Sequence, residues 1–345
     1  MNMSKRTKRN ARRRPKDTQS ATIPAKPPDD KAAADALLGR LEQERQHPAI
    51  VYWTTQLAKI SVGAELPIYD QLRKLGRQDI IDLVLFTNGG DTEAPWRLIS
   101  ILREFCNTLA VLVPHRAVSA GTVLALGADE IVMTPLSTLG PIDPSRTHPL
   151  LPRREGARES EPISVQDMRH AMQFIKDAAD SGDQGGTPYT PSALAKIFSA
   201  LFDKIHPLAI GAIEQSYALA KLVAKRCLGT HMTGADAEDE INRIVDTLCD
   251  DYKSHAYQIS RREAREIGLK VHDASPVVDA IMTELLKFYG ARHLGPFGTS
   301  TRPGAEAVMQ IAWIDSKELK FRCEQQVTFA ENGELKRDGD RWVIY

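Results

Sequence analysis

Ser119 stands in HRAVSAGTVLALGADEIVM (residues 115–133), between Val118 and the small pair Ala120-Gly121. An apolar strand leads into it and an apolar helix follows. A serine in that place can cap the helix by accepting from the free N–H groups of its first turn. It can also act as a nucleophile if a base removes its proton. Three features bear on the choice. The small neighbours let a substrate carbonyl approach the backbone. The Ala120 N–H points out of the first turn, where partial positive charge gathers. A second donor is available in Asn88-Gly89-Gly90, where paired glycines permit a close approach that a side chain would block. Two such donors aimed at one developing negative oxygen form an oxyanion hole, each worth about 3–4 kcal/mol of barrier. The chemistry these residues could do is acyl transfer; the same residues also suit a plain helix cap and a plain turn.

The elements that must position them follow from periodicity. KAAADALLGRLEQERQ reads as a helix capped by Asp29 or Asp30, and AIVYW (49–53) as a strand. PIYDQLRKL is helical, IIDLVLFT (80–87) is an apolar run of strand length, and APWRLISILREF (94–105) repeats apolar residues at helical spacing. TLAVLVP (108–114), a short helix over 119–127 and the strand EIVM (130–133) complete the alternation. Strands apolar on both faces, alternating with helices, predict a parallel α/β sheet. In such a sheet the C-terminal strand ends share one edge, where sites form. Beyond LGPIDP (139–144) the pattern predicts a loop, then helices at about 164–179, 191–203, 207–228 and 235–249. A short helix ending at Gly268, a strand, and a helix over 276–289 follow. The tail suggests hairpins at Asn332-Gly333 and Asp338-Gly339.

DLVLFTNGGDTEAPWRLISIL with VLVPHRAVSAGTVLALGADEIVMTPLSTLGPIDP resembles the Clp protease/crotonase-type serine peptidases. The likeness is to signal peptide peptidase A and its archaeal membrane-peptidase relatives, and above all to the serine dehydrogenase proteinase family. It is tight over roughly 80–145 and looser to about 271. It implies a Clp/crotonase-like spiral of ββα units, here with a helical second half and a small C-terminal β extension, self-associating into oligomers. It also implies that Ser119 attacks a peptide carbonyl, with the N–H groups of Gly90 and Ala120 (and Gly89 beside them) holding the oxyanion. The chain departs from the pattern at TNGG, where a proline commonly precedes the glycines. The expected organisation is a disordered basic and Pro-rich arm over 1–30, a Clp/crotonase-like serine peptidase domain over 31–290 and a C-terminal extension with β-hairpins over 291–345.

The resemblance leaves the base to be found. Where Clp-type enzymes carry their histidine, this chain has Pro144, with His148 nearby. The signal peptide peptidase branch uses a lysine on a downstream helix, which burial must bring toward neutrality. Lys204, opening the most apolar helix of the second half, is the first candidate, with Lys221 and Lys196 behind it; Lys176 looks solvent-facing. His206 and His255 read as capping or core hydrogen-bonding residues, and Asp129 and Glu130 as structural ion-pair or cap partners. Asp143 could line the groove. Two rival readings keep the scaffold but not the chemistry: a catalytically inactive peptidase-like binding protein, and a crotonase-type acyl-CoA enzyme.

Composition bounds the partners. The chain has 345 residues, 42% hydrophobic and 26% charged, with zero formal net charge. Eight basic residues and one acid fall in residues 1–17, so that arm carries +7 and the remainder −7. The Lys5–Lys16 stretch offers weak contact to nucleic acid or an anionic membrane. No apolar h-region follows it and no ~18-residue apolar run occurs, so a cytoplasmic protein without a membrane span, at most peripherally associated, is expected. Cys106, Cys227, Cys249 and Cys323 lack metal spacing and no phosphate loop appears, so neither metal nor cofactor is expected. The expected partners are a peptide or unfolded-protein substrate and further copies of the chain.

Overall fold

The computed structural model describes residues 30–146, 149–151, 163–181, 189–292, 306–330 and 335–345. The first half alternates as its periodicity demands: α1 (Asp30–Arg45), β1 (Ala49–Thr54), α2 (Glu65–Leu75), β2 (Gln78–Phe86), α3 (Ala94–Phe105) and β3 (Cys106–Val113). The two-residue strand β4 (Arg116–Ala117), α4 (Ala120–Ala125), β5 (Glu130–Met133) and the short β6 (Thr138–Leu139) follow. The short strands β7 (Ser145–Arg146) and β8 (Ile163–Ser164) pair with each other. Helices α5 (Val165–Ser181), α6 (Pro191–Phe202), α7 (Pro207–Leu228) and α8 (Ala237–Asp246) make the helical second half. The chain then returns through β9 (Ile259–Ser260), α9 (Arg261–Ile267), β10 (Val271–Asp273), α10 (Pro276–Ala291) and the strands β11 (Glu306–Asp315), β12 (Lys320–Phe329) and β13 (Leu335–Ile344).

Eight strands form one sheet in the order β10-β5-β3-β2-β1-β11-β12-β13. From β10 to β1 the pairs are parallel; β1–β11, β11–β12 and β12–β13 are antiparallel. The α/β class expected from the sequence is the class observed. IIDLVLF is apolar throughout because both faces are covered. Leu83, Leu85, Val111 and Val113 pack with residues of α2, α3 and α7, while Val84, Phe86, Ala110 and Leu112 pack with Leu38 and Leu41 of α1 and Ile281 and Leu285 of α10. A small second sheet, β4-β6-β9, lies beyond the main sheet. The C-terminal strands are continuous with the main sheet, with Trp313 of β11 opposite Trp53 of β1.

Two turn readings resolve differently. Asn332-Gly333 lies outside the described residues, between β12 and β13. Asp338-Gly339 is not a hairpin: it lies within β13, whose register with β12 shifts at Gln325/Gln326, and Gly339 takes φ +28°. This is a bulge, an extra residue that an NG- or DG-type pattern cannot tell from a turn. The β11–β12 hairpin turns instead on Ser316, whose N–H donates to Leu319 O at 2.9 Å and whose Oγ accepts from the N–H groups of Glu318 and Leu319. All four cysteines are buried free thiols. Among the described residues no helix is long and apolar enough to cross a membrane.

Candidate active site

The site is built where β2 stops. Thr87 leaves the main sheet to bridge Ala117, with Thr87 N–H donating to Arg116 O at 3.0 Å and Val118 N–H to Thr87 O at 3.3 Å. Its hydroxyl is within 2.9 Å of that of Thr54 and accepts from Gly89 N–H at 3.0 Å. One threonine thus sets the direction of both the glycine loop and the strand that leads to Ser119. Gly89 has φ +106°, and a Cβ there would fall 2.9 Å from the Ser119 Cβ. Gly90 bridges Ile60: Ile60 N–H donates to Gly89 O at 2.9 Å and Asp91 N–H to Ile60 O at 2.8 Å. In a parallel bridge of this kind the N–H of Gly90 itself faces away from Ile60. A Cβ on Gly90 would lie 2.1 Å from the Ile60 carbonyl oxygen, so only glycine fits.

Ser119 has φ 55° and ψ −118°, a left-handed conformation that side chains rarely adopt, and its hydroxyl does not cap α4. The surroundings impose this. Gly121 N–H donates to Val118 O at 2.9 Å, and Val123 N–H to Ser119 O at 3.1 Å. The Thr122 hydroxyl bonds Ala117 O at 2.9 Å and accepts from Gly140 N–H at 3.0 Å, clamping the STLGP segment onto the turn. Gly121 faces the Thr87 methyl so closely that a Cβ would fall 2.3 Å from it. The Ala120 N–H belongs to the first turn of α4 and has no intrahelical acceptor.

Ser119, Ala120, Gly89 and Gly90 line one cleft of about 250 Å³, together with Lys59, Ile142, Pro144, Ala220 and His255. None of the three candidate lysines is among these lining residues. Lys204 is exposed in the link between α6 and α7, and Lys196 is exposed on α6, the opposite of the enclosure a lysine base needs. Lys221 Nζ donates to Asp246 at 2.7 Å and Asp250 at 2.8 Å. Partial burial pulls its pKa down, but these hydrogen bonds and contact with Tyr217 outweigh that and hold it well above its ordinary value. Lys221 is therefore a firmly protonated ion-pair anchor. His148 lies outside the described residues, as does the basic arm. Lys176 is exposed on α5, as its neighbours suggested.

The remaining singled-out residues divide. His206 caps α7, its Nδ1 accepting from Leu208 N–H at 3.2 Å. Asp129 accepts from Leu109 N–H at 2.7 Å and from Arg103 at 2.6 Å, and Glu130 pairs with Arg45 at 2.7 Å, both structural. His255 is neither cap nor core: it is 43% exposed on the cleft wall, with Nδ1 3.9 Å from Oδ2 of the buried Asp143. Lys59 also lines the cleft, exposed near Asp91, whose carboxyl burial pushes up and Lys59 partly pulls back. Nothing in the sequence around Lys59 marked it; its place follows from the Ile60–Gly90 bridge.

Ser119 thus stands uncapped, with a left-handed φ, beside Gly89 and Gly90 at the C-terminal edge of a parallel sheet, its hydroxyl not used by α4. Residues 60–166 match the family of ClpP-like SDH-type serine proteinases. Over 228 residues (66% of this chain) the sequence is 26% identical to the uncharacterized protein MJ0137 of Methanocaldococcus jannaschii. Over 64 residues (19% of this chain) it is 41% identical to the uncharacterized protein MJ1495 of the same organism. The chain spans 66% of the length of the first relative and 22% of the second. Among solved structures it is similar to a mutant of the 1510-N membrane-bound stomatin-specific protease, with 16% identity, a TM-score of 0.36, and coverage of 70% of this chain and 84% of that one. ClpP1 from Listeria monocytogenes gives 12% identity and a TM-score of 0.30, covering 71% of this chain and 97% of that one.

Proposed function

We propose that the chain is a serine endopeptidase that hydrolyses peptide bonds through an acyl-serine intermediate. Ser119 Oγ attacks the scissile carbonyl, and the N–H groups of Gly90 and Ala120 receive the negative oxygen. The observation that carries this reading is the backbone of Ser119. A cap needs no left-handed φ, whereas a nucleophile presented to a cleft uses such a conformation to stand clear of its own helix. The matched serine proteinase family supports the same reading. The substrate is a peptide or an unfolded segment, in keeping with the matched proteinase family and with a cleft of about 250 Å³ that is open to solvent. Exposed Phe174, Phe202 and Leu208 on α5, α6 and α7 support self-association. Lys204 would serve as the base of a Ser-Lys dyad only if the α6–α7 link or a neighbouring copy delivered it to the cleft.

The test is cleavage of a mixed peptide library, read by mass spectrometry, with wild type, Ser119→Ala and Lys204→Ala. Cuts present in wild type and absent from Ser119→Ala establish the peptidase. Loss in Lys204→Ala as well, with folding intact, would establish the dyad. If wild type makes no cut that Ser119→Ala does not also make, the peptidase reading is wrong.

A further inference from the structure

The described wall of the cleft carries one imidazole. We propose that His255, oriented by Asp143, is the general base that takes the proton from Ser119; this rests on the serine-peptidase reading above.

Position is the first argument. His255 lines the same cleft as Ser119, Gly89, Gly90 and Ala120. Its Nδ1 faces Asp143 at 3.9 Å, and Asp143 is 2% exposed, with Oδ1 accepting from Gln166 N–H at 3.3 Å. At 3.9 Å this is a charge contact rather than a hydrogen bond; closing by about 1 Å would let Nδ1–H donate to Asp143 and leave Nε2 as the acceptor. Contacts of this kind are commonly loose without substrate and tighten when it binds.

Attachment is the second. The five residues Thr247–Asp251 continue α8 as a single π-helical turn, a device concentrated at functional sites. This turn is tied to the segment holding Asp143: Ile142 N–H donates to Leu248 O at 2.9 Å, and the Gln166 side chain bonds the Cys249 carbonyl. Asp250 is fixed by Lys221 and by the Tyr217 hydroxyl. Downstream, Tyr257 N–H closes a turn on Ser254 O at 3.1 Å, and Ala256 N–H donates to Ser254 Oγ at 3.3 Å. The rings of Tyr252 and Tyr257 lie 4.8 Å apart, and both hydroxyls donate to Glu263. Ile259 then pairs with Leu139. His255 is therefore held at both ends, against the same strand end that presents Asp143. Lys221 belongs to this anchorage.

In the reaction, His255 Nε2 accepts the Ser119 proton as the Oγ–C bond forms and the carbonyl electrons move to the oxyanion. The C–N bond then breaks and the imidazolium gives its proton to the leaving amine. Water attacks the ester carbonyl, His255 takes a proton from it, and that proton returns to Ser119 Oγ as the acid leaves.

The experiment measures covalent labelling of Ser119 by a fluorophosphonate and peptide cleavage, each with and without added imidazole. Wild type, Ser119→Ala, Lys204→Ala, His255→Ala, His255→Gln and Asp143→Asn are compared. We expect His255→Ala to be labelled and to cleave at least ~10²-fold more slowly, the usual size of a lost general base, with imidazole restoring part of both rates. Asp143→Asn should lower kcat with KM little changed, a split that a merely structural loss would not give. Lys204→Ala should behave as wild type. If either folded His255 variant is labelled and cleaves at the wild-type rate, or imidazole restores nothing while Lys204→Ala loses both activities, His255 is not the base. A wild type that is labelled at Ser119 in those cases keeps the peptidase reading standing. A wild type neither labelled nor cleaving overturns both.

Discussion

The left-handed backbone of Ser119 predicts an inverted stability order between two variants that both remove the hydroxyl of the proposed nucleophile. At an ordinary position glycine is less stable than alanine by about 0.4–1 kcal/mol, because the unfolded chain gains freedom. At φ 55° and ψ −118° a residue with a Cβ carries strain of about 1–3 kcal/mol, which glycine does not. The strain is held in place by the Thr122 clamp on Gly140 and by the tight face between Gly121 and Thr87, and neither depends on the Ser119 side chain. Ser119→Gly should therefore be more stable than Ser119→Ala by about 1 kcal/mol, the difference between those two magnitudes. Urea unfolding of the two variants, compared at equal m-value, reads this directly. Both should be inactive, so activity is no confounder. Should Ser119→Ala come out the more stable by the ordinary margin, the backbone at 119 is relaxed and the main support for a presented nucleophile is gone.

Further expectations rest on separate contacts. Gly90→Ala places a methyl on the Ile60 backbone, which cannot step aside, so cleavage should fall by about 10²–10³, the range for losing one oxyanion donor; activity near wild type would remove Gly90 from that role. Lys221→Met should cost about 1 kcal/mol of stability, its partners being part-exposed, and lower cleavage without abolishing it; complete loss in a folded variant would make Lys221 the base after all. Asp315 is wholly buried; burial pushes its carboxyl from 3.8 up to about 6, against the opposing hydroxyls of Tyr289 and Tyr345 at 2.6 and 2.8 Å. The native state therefore keeps a proton that the unfolded chain releases near pH 4. This contribution is full below that pH and is lost as pH rises through about 6, amounting to about 3 kcal/mol. Urea unfolding at pH 4 and pH 7 should show that loss in wild type and not in Asp315→Asn.

The parts of this fold that could be read from sequence are those whose partners are local or generic. IIDLVLFT and TLAVLVP announce strands buried on both faces, and APWRLISILREF announces its helix, because those patterns depend only on which faces meet a core. The glycine loop and the serine turn were legible as a pair for a related reason: each is a backbone device that few residue types can build. Gly339 shows the limit. A bulge and a hairpin ask for the same flexible residue, and only the register of β12 separates them.

The base illustrates a deeper limit. A lysine can be read as buried from the apolar residues around it, yet its charge state depends on which carboxylates the tertiary fold brings near. Lys221 sits among apolar neighbours on α7, but Asp246 and Asp250, at the end of α8 and in the turn after it, fall opposite its ammonium only because α7 and α8 pack together. That pairing converts a candidate base into the anchor of the turn leading to His255. His255 in turn lies 136 residues beyond Ser119 and reaches the cleft through a π-helical turn and a two-residue strand, neither of which has a sequence signature. On the proposed mechanism, what decides the chemistry is therefore the route of the return segment from α8 to β9. Changes that loosen that route, such as Glu263→Gln beneath the two tyrosines, should lower turnover while leaving the serine turn and its stability signature intact. Urea unfolding and peptide cleavage of that one variant separate the two, and equal turnover in a variant with a weakened tyrosine clamp would mean that the return segment does not position the base.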